Sequence, residues 1–90
     1  LTTISTVAEI KKDGRDDQLV QLRGRFTRQV KRDKYEFVDE KGDSIIADLD
    51  DDHDWSHVVK DKPMEILAEI DKDRFHDPEL EVIEARNIKK

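Results

Sequence analysis

The segment from Val20 to Phe26 constrains the possible folds of this chain more than any other feature. Its apolar residues recur at alternate positions, with polar or charged residues between them and Gly24 in the middle. Such alternation predicts a strand with one face on a core and the other in water. A glycine in mid-strand has no side chain to pack, so Gly24 indicates a bulge or a sharp bend of the kind that closes a small barrel.

The composition bounds the class of protein. The 90 residues predict one domain spanning 1–90, and although 44% are charged and 34% apolar, the apolar residues are clustered and periodic, as in a folded chain. The net charge of −6 argues against a nucleic-acid partner, because its phosphates would be repelled. The chain has no cysteine for a disulfide or for thiol chemistry, and no apolar run approaches the roughly 20 residues of a membrane span.

One short helix and five strands are predicted from local patterns. Thr6 and Glu9 have the spacing of a capping box, which predicts a helix over 6–12 that ends near Gly14. The predicted strands span 18–30, 35–39, 44–50, 64–71 and 79–88. A change of period in the last strand indicates a bulge near Glu84. The inward positions of the first four strands are Val20, Leu22, Phe26, Val30, Tyr35, Phe37, Ile45, Ala47, Leu49, Met64, Ile66, Ala68 and Ile70.

The connector between the third and fourth strands is predicted to contain a helical turn. Trp55, Val58 and Val59 have the spacing of one helical face, and Asp54 can cap one or two turns that end near Lys60. Five strands with a helical insert at this place match the order of an OB-fold, an all-β, five-stranded Greek-key barrel. The alternative is a small barrel of the SH3 type, which the helical insert disfavours.

Several segments, taken in order, resemble one bacterial family. They are Asp16-Asp17, Val20–Gly24, Tyr35–Asp39 with Gly42, Ile45–Asp50 with Trp55, and Glu69–Asp73. In this combination the chain is similar to the bacterial OB-fold family of small periplasmic stress-tolerance proteins. The resemblance implies an OB-fold, export to the periplasm from a precursor whose signal peptide is not in this sequence, no catalytic activity and no nucleic-acid role. The acidic run Asp50–Asp54 departs from the family pattern.

Charge is segregated along the chain, with a basic stretch over 23–34 and an acidic stretch over 39–54. One interpretation is that cross-strand pairs, such as Arg25 with an acid on the next strands, stabilise a solvated face. The other is a ligand-binding face, because OB-folds bind chains of sugars or nucleotides on strands 2 and 3 and on the loops after strands 1 and 4. The second interpretation predicts a polar ligand, which with the family resemblance would be an envelope component such as an anionic glycan or a peptide. The chain is expected to be a monomer or to associate weakly. The candidate ligand-binding residues are Arg23, Arg25, Lys31, Arg32, Arg74 and Phe75.

Phe75 lies beside Arg74 in the loop after the fourth predicted strand. An exposed aromatic next to a cation can stack on a sugar or a base. The alternative is that Phe75 covers the end of the barrel. The other aromatic residues look like core residues, which leaves too few for the interleaved aromatics of a nucleic-acid binder. No nucleic-acid partner is therefore expected.

His53 and His57 have the i, i+4 spacing at which two histidines on a helix can share a metal ion, with Asp54 between them. This spacing suggests the alternative function, an acidic metal- or cation-binding protein that uses the segment 50–57. No cysteine, second histidine pair or calcium-loop spacing supports such a site. We therefore expect no metal and no cofactor.

The sequence contains no catalytic signature. It has no cysteine nucleophile, no G-x-S-x-G elbow and no glycine-rich phosphate loop. Asp48 and Glu69 lie within apolar stretches, but both are predicted to face outward, and a general acid needs burial to shift its pKa. The sequence therefore predicts a non-catalytic binding protein rather than an enzyme.

Overall fold

The computed structural model describes residues 3–88, which form one helix and five strands. Their bounds are α1 Val7–Asp13, β1 Leu19–Gln29, β2 Lys34–Asp39, β3 Ser44–Asp48, β4 Met64–Asp71 and β5 Glu79–Asn87. The strands close into a barrel in the order β1-β2-β3-β5-β4. Every pair is antiparallel except β3 with β5, which is parallel. The predicted fold class, an all-β OB-type barrel with an N-terminal helix, is confirmed.

Gly24 is the residue at which β1 passes from one neighbour to the other. It pairs with Met64 on β4 and also with Asp39 on β2. The strands approach so closely here that a Cβ atom on Gly24 would lie 2.0 Å from the carbonyl oxygen of Val38. The bulge in β1 lies further along, at Thr27, where the register with β2 shifts. Gly24 is therefore needed for close approach at the closure of the barrel.

The predicted helix is present with its capping box. The Thr6 hydroxyl accepts a hydrogen bond from the amide of Glu9 at 3.2 Å, and the Glu9 carboxylate accepts one from the amide of Thr6 at 3.0 Å. The amide of Val7 donates to the buried carboxylate of Asp39 at 2.7 Å, which fixes the helix on the turn after β2. Within residues 3–88, no helix is long and apolar enough to cross a membrane.

The core is built from the alternating faces of all five strands together with the helix. Of the positions predicted to face inward, all are buried except Tyr35, which is partly buried, and Val30, whose side chain is 39% exposed. The prediction for Val30 is wrong because β1 ends at Gln29, before the alternation reaches it. The bulge predicted near Glu84 is confirmed, since the register of β5 with β4 shifts between Val82 and Glu84.

The helical turn predicted over 54–60 is wrong, because this segment consists of turns. Asp54 uses its carboxylate to accept from the amide of Ser56 at 2.9 Å, which closes a local turn and starts no helix. The indole N–H of Trp55 donates to the carbonyl of Asp50 at 2.6 Å. Trp55 and Val58 pack against the core, but Val59 is 49% exposed. The apolar spacing therefore reflected two packed side chains and not a helical face.

Candidate ligand-binding site

The structure distributes the six candidate ligand-binding residues over several parts of the surface. Arg23 and Arg25 lie on β1, Lys31 and Arg32 lie in the β1–β2 connection, and Arg74 and Phe75 lie in the β4–β5 loop. Arg23, Arg25 and Phe75 border three different clefts. The six residues therefore do not line one common cleft.

Acidic partners account for part of the basic stretch. Arg28 approaches Glu36 on β2 at 3.6 Å, as the cross-strand interpretation predicts. Arg25 approaches Asp61 at 3.8 Å, so its partner lies in the β3–β4 connector and not on a neighbouring strand. Such exposed pairs each contribute about 0–1 kcal/mol. They stabilise the outer surface slightly and leave the cations accessible to water.

Glu65 on β4 is an acid that the alternation places outside the core and that the structure nevertheless buries to 6% exposure. Its Oε1 accepts from Nε of Arg23 at 2.9 Å, and its Oε2 accepts from Nη2 of Arg86 at 2.7 Å. The hydrogen bonds from Arg23 and then Arg86 lower the pKa of the Glu65 carboxyl. We name these three residues the Arg-Glu-Arg cluster.

Phe75 is 81% exposed, so the interpretation that it covers the barrel end is wrong. The loop that carries it is ordered by Asp73, whose Oδ1 accepts from the amides of Phe75 at 2.8 Å and His76 at 2.9 Å. The bond from the Phe75 amide, followed by the His76 side chain, lowers the pKa of Asp73. At the base of the loop, the amide of Lys72 donates to Asp16 at 2.9 Å. The aromatic ring therefore projects into solvent from an anchored loop.

Phe75 borders a cleft of about 510 Å³ between the β4–β5 loop and the outer face of β2 and β3. This place corresponds to the surface on which OB-folds bind their ligands. We call it the Phe75 cleft; it is lined by Lys11, Glu36, Ser44, Ile45, Ile46, Phe75, His76, Asp77, Pro78 and Glu79. Carboxylates outnumber cations in this lining, and Ile46 adds an apolar strip on β3.

Further acids lie on β3 and β5, two positions along the strands from the Ile46–Glu79 pair that lines this cleft. Burial raises the pKa of Asp48 above its ordinary value, and the neighbouring charge of Asp33 adds to the effect. Burial and then the charge of Asp48 raise the pKa of Glu81, which lies opposite it across the parallel pair. Lys34 pairs with Glu79, and this hydrogen bond raises the pKa of the lysine. The surroundings of the Phe75 cleft are therefore electrostatically negative.

The two histidines of the metal hypothesis do not share the helical face that it required, because the segment is not helical. Nδ1 of His53 lies 2.8 Å from Oδ1 of Asp50, and this contact raises the pKa of His53. Nε2 of His57 donates to the carbonyl of Ala85 at 2.7 Å, because a carbonyl can only accept. The third candidate, Asp54, accepts from Ser56. Residues 3–88 contain no cluster of three or more His, Cys, Asp or Glu side chains that could hold a metal ion.

Sequence reasoning missed residues that matter on both surfaces. Arg86 meets Glu65 across 21 positions of the chain, and Lys11 on α1 lines the same cleft as the β4–β5 loop. A signal for Arg86 did exist, since the bulge in β5 predicts a shift of the outward positions after Glu84. Its partner could not be named without the register of β4.

The closed five-stranded barrel and the cleft beside its β4–β5 loop define an OB-fold protein. Replication protein A of U. maydis, solved bound to ssDNA, has the same fold, with a TM-score of 0.69 and 11% identity over 98% of this chain and 73% of that chain. The chain belongs to the Bacterial OB fold (BOF) protein family, whose family model matches residues 2–90. This finding confirms the resemblance noted in the sequence.

Another solved structure is much more similar in sequence. The hypothetical protein ygiW from E. coli matches with a TM-score of 0.84 and 32% identity, over 96% of this chain and 90% of that chain. No curated protein sequence matches the chain.

Proposed function

We propose that this protein is a non-catalytic binding protein of the bacterial cell envelope that takes a polar ligand in the Phe75 cleft. The observation that carries the proposal is the 81% exposure of Phe75 at the edge of that cleft. A fully solvated phenyl ring gains free energy when a flat apolar surface covers it. A side chain that only stabilised the fold would lie against the core.

The cleft suits a ligand with flat faces and polar edges. The ring of Phe75 can stack on a sugar or on a peptide side chain, while Glu36 and Ser44 offer hydrogen-bonding groups on the strands opposite. The sequence predicted an anionic glycan or a peptide. Because acids predominate around the cleft, we propose instead a neutral or cationic glycan or peptide.

The expectations about location and role are part of this proposal. The BOF family is bacterial, and the resemblance to periplasmic stress-tolerance proteins supports a role in the envelope under stress. We propose no catalysis, because the sequence contains no cysteine nucleophile and no catalytic motif. We propose no nucleic-acid ligand either, since the net charge is −6 and the cleft is acidic.

Oligosaccharides that are built from six-membered sugar rings and differ in charge test the proposal. Soluble chitin oligomers are neutral, chitosan oligomers are cationic and oligogalacturonate is anionic. We expect the amide signals of Phe75, Ile46 and Ser44 to shift saturably in NMR titrations with the neutral or cationic oligomers, and much less with the anionic one. A panel of short peptides, one neutral, one cationic and one anionic, covers the second ligand class.

Variants distinguish stacking on Phe75 from nonspecific binding to exposed apolar side chains. Phe75→Ala should weaken binding about 5-fold to 150-fold, because stacking of a base or sugar ring on an aromatic side chain contributes about 1–3 kcal/mol. Val59→Ala removes another exposed apolar side chain, one that does not line the cleft, and should leave binding unchanged. A charge reversal, Arg25→Glu with Arg32→Glu, tests the alternative that the basic stretch binds the ligand. Binding that survives Phe75→Ala and disappears with the charge reversal would refute the Phe75 cleft as the site.

A further inference from the structure

We propose that the Arg-Glu-Arg cluster on the outer face of β1, β4 and β5 is a binding site for a phosphate group. The cleft above it has a volume of about 260 Å³ and is lined by Arg23, Glu65, Arg86, Asn87 and Ile88. It shares no lining residue with the Phe75 cleft. The proposal is therefore independent of the function proposed for that cleft.

The buried carboxylate orders the two guanidinium groups. Glu65 is 6% exposed and holds one guanidinium on each of its oxygens, at 2.9 Å and 2.7 Å. Both arginine side chains are long and would otherwise lose considerable rotamer freedom when they bound a ligand. Because Glu65 fixes them from below, that ordering is already present before a ligand arrives.

The outer parts of both guanidinium groups remain available. Arg23 and Arg86 are 45% and 69% exposed, and each gives Glu65 one of the five N–H groups that a guanidinium carries. Two cations around one carboxylate leave a net charge of +1, on a protein whose total charge is −6. Glu65 is the only acid among the described residues that line this cleft.

The geometry favours phosphate over carboxylate. A guanidinium fork donates two parallel hydrogen bonds to an oxyanion, and the terminal oxygens of one phosphate can accept from two forks at once. A carboxylate has two oxygens and saturates one fork. Glu84 borders the adjoining depression beside Arg86, so an anion approaches from the side of Asn87, whose amide can donate another hydrogen bond.

NMR spectroscopy of arginine Nε–H groups in the wild-type protein tests the site directly. The probes are inorganic phosphate, glucose 6-phosphate and acetate, added at constant ionic strength. We expect saturable shifts of the Arg23 and Arg86 signals with inorganic phosphate and smaller shifts with acetate. A response to glucose 6-phosphate that matches or exceeds that to inorganic phosphate indicates a sugar phosphate as the source, and the opposite result indicates free phosphate. Arg28, which pairs with Glu36 on another part of the surface, is the internal reference.

Variants assign the effect to the cluster. Arg86→Gln should weaken phosphate binding at least about tenfold, because it removes a charge-assisted pair. Arg28→Gln should leave it unchanged, and Phe75→Ala should also leave it unchanged even if it abolishes binding in the Phe75 cleft. Shifts that rise linearly without saturation, or that are equal at Arg28, would show that the cluster is only an ion-pair network within the fold. Acetate binding as tight as phosphate would overturn the phosphate assignment.

Discussion

Gly24→Ala tests whether the closure of the barrel depends on the missing side chain. The new Cβ atom would lie 2.0 Å from the Val38 carbonyl oxygen, whereas ordinary contacts begin at 3.4 Å, so β2 must retreat by about 1.4 Å. Overpacking alone costs about 1–3 kcal/mol. Loss of a ladder hydrogen bond at the pair with Asp39 adds about 1 kcal/mol. The expected total is about 3 kcal/mol.

Thermal and urea unfolding measure this loss, with Trp55 fluorescence and circular dichroism as independent signals. For a domain of this size a loss of about 3 kcal/mol lowers Tm by roughly 12–24 °C. Gly42→Ala is the matched control, because Gly42 has φ of 91° and a Cβ atom added there would meet nothing within 4 Å. That control tests backbone strain alone and should cost about 1–2 kcal/mol. If Gly24→Ala unfolds no earlier than Gly42→Ala, close approach at the strand crossing is not what requires the glycine.

Three further predictions concern buried or crowded carboxylates. Asp39→Ala removes the acceptor for the amides of Val7, Lys41 and Asp43, so it should cost about 1–3 kcal/mol in urea unfolding and shift the amide signals of α1. Asp48→Asn should stabilise the protein at pH 7 by about 0.2–1 kcal/mol. Because the folded protein raises the pKa of Asp48, the charged carboxylate destabilises the fold at neutral pH, and this effect disappears below the ordinary value of 3.8. If Asp48→Asn still stabilised the protein at pH 3, this reasoning would be contradicted. Glu65→Gln should destabilise the protein by about 1–3 kcal/mol at pH 7. The folded protein lowers the pKa of Glu65, so the stability that its carboxylate contributes is present above the ordinary value of 4.5 and is lost as the pH falls through the folded pKa. If Glu65→Gln remained equally destabilised at pH 2, the contribution would not be ionic.

The strands could be predicted from the sequence because alternation and turn residues agreed. The bounds of β4 are those predicted, since Pro63 ends the connector and four apolar side chains then alternate without a break. The capping box of α1 was equally reliable, because Thr6 and Glu9 interact within one helical turn. Local signals of this kind need no knowledge of the rest of the fold.

The connector and the surface sites could not be predicted in the same way. Asp54 is as compatible with a turn as with a helix cap, and the bond from Trp55 to Asp50 decided between them. In the Arg-Glu-Arg cluster, Glu65 lies 42 positions from Arg23 and 21 positions from Arg86. Its geometry therefore depends on a strand register that alternation alone does not specify. The exposure of Phe75 depends in turn on the path of a loop.

The anchored base of the β4–β5 loop has a kinetic consequence. The Nζ group of Lys72 donates to the carbonyl of Gly14 at 3.0 Å, so the stem of the loop is attached to the end of α1. A ring carried on such a stem stands ready for a partner without a preceding closure step. Association there should be a single bimolecular phase, with a rate proportional to the partner's concentration and no plateau.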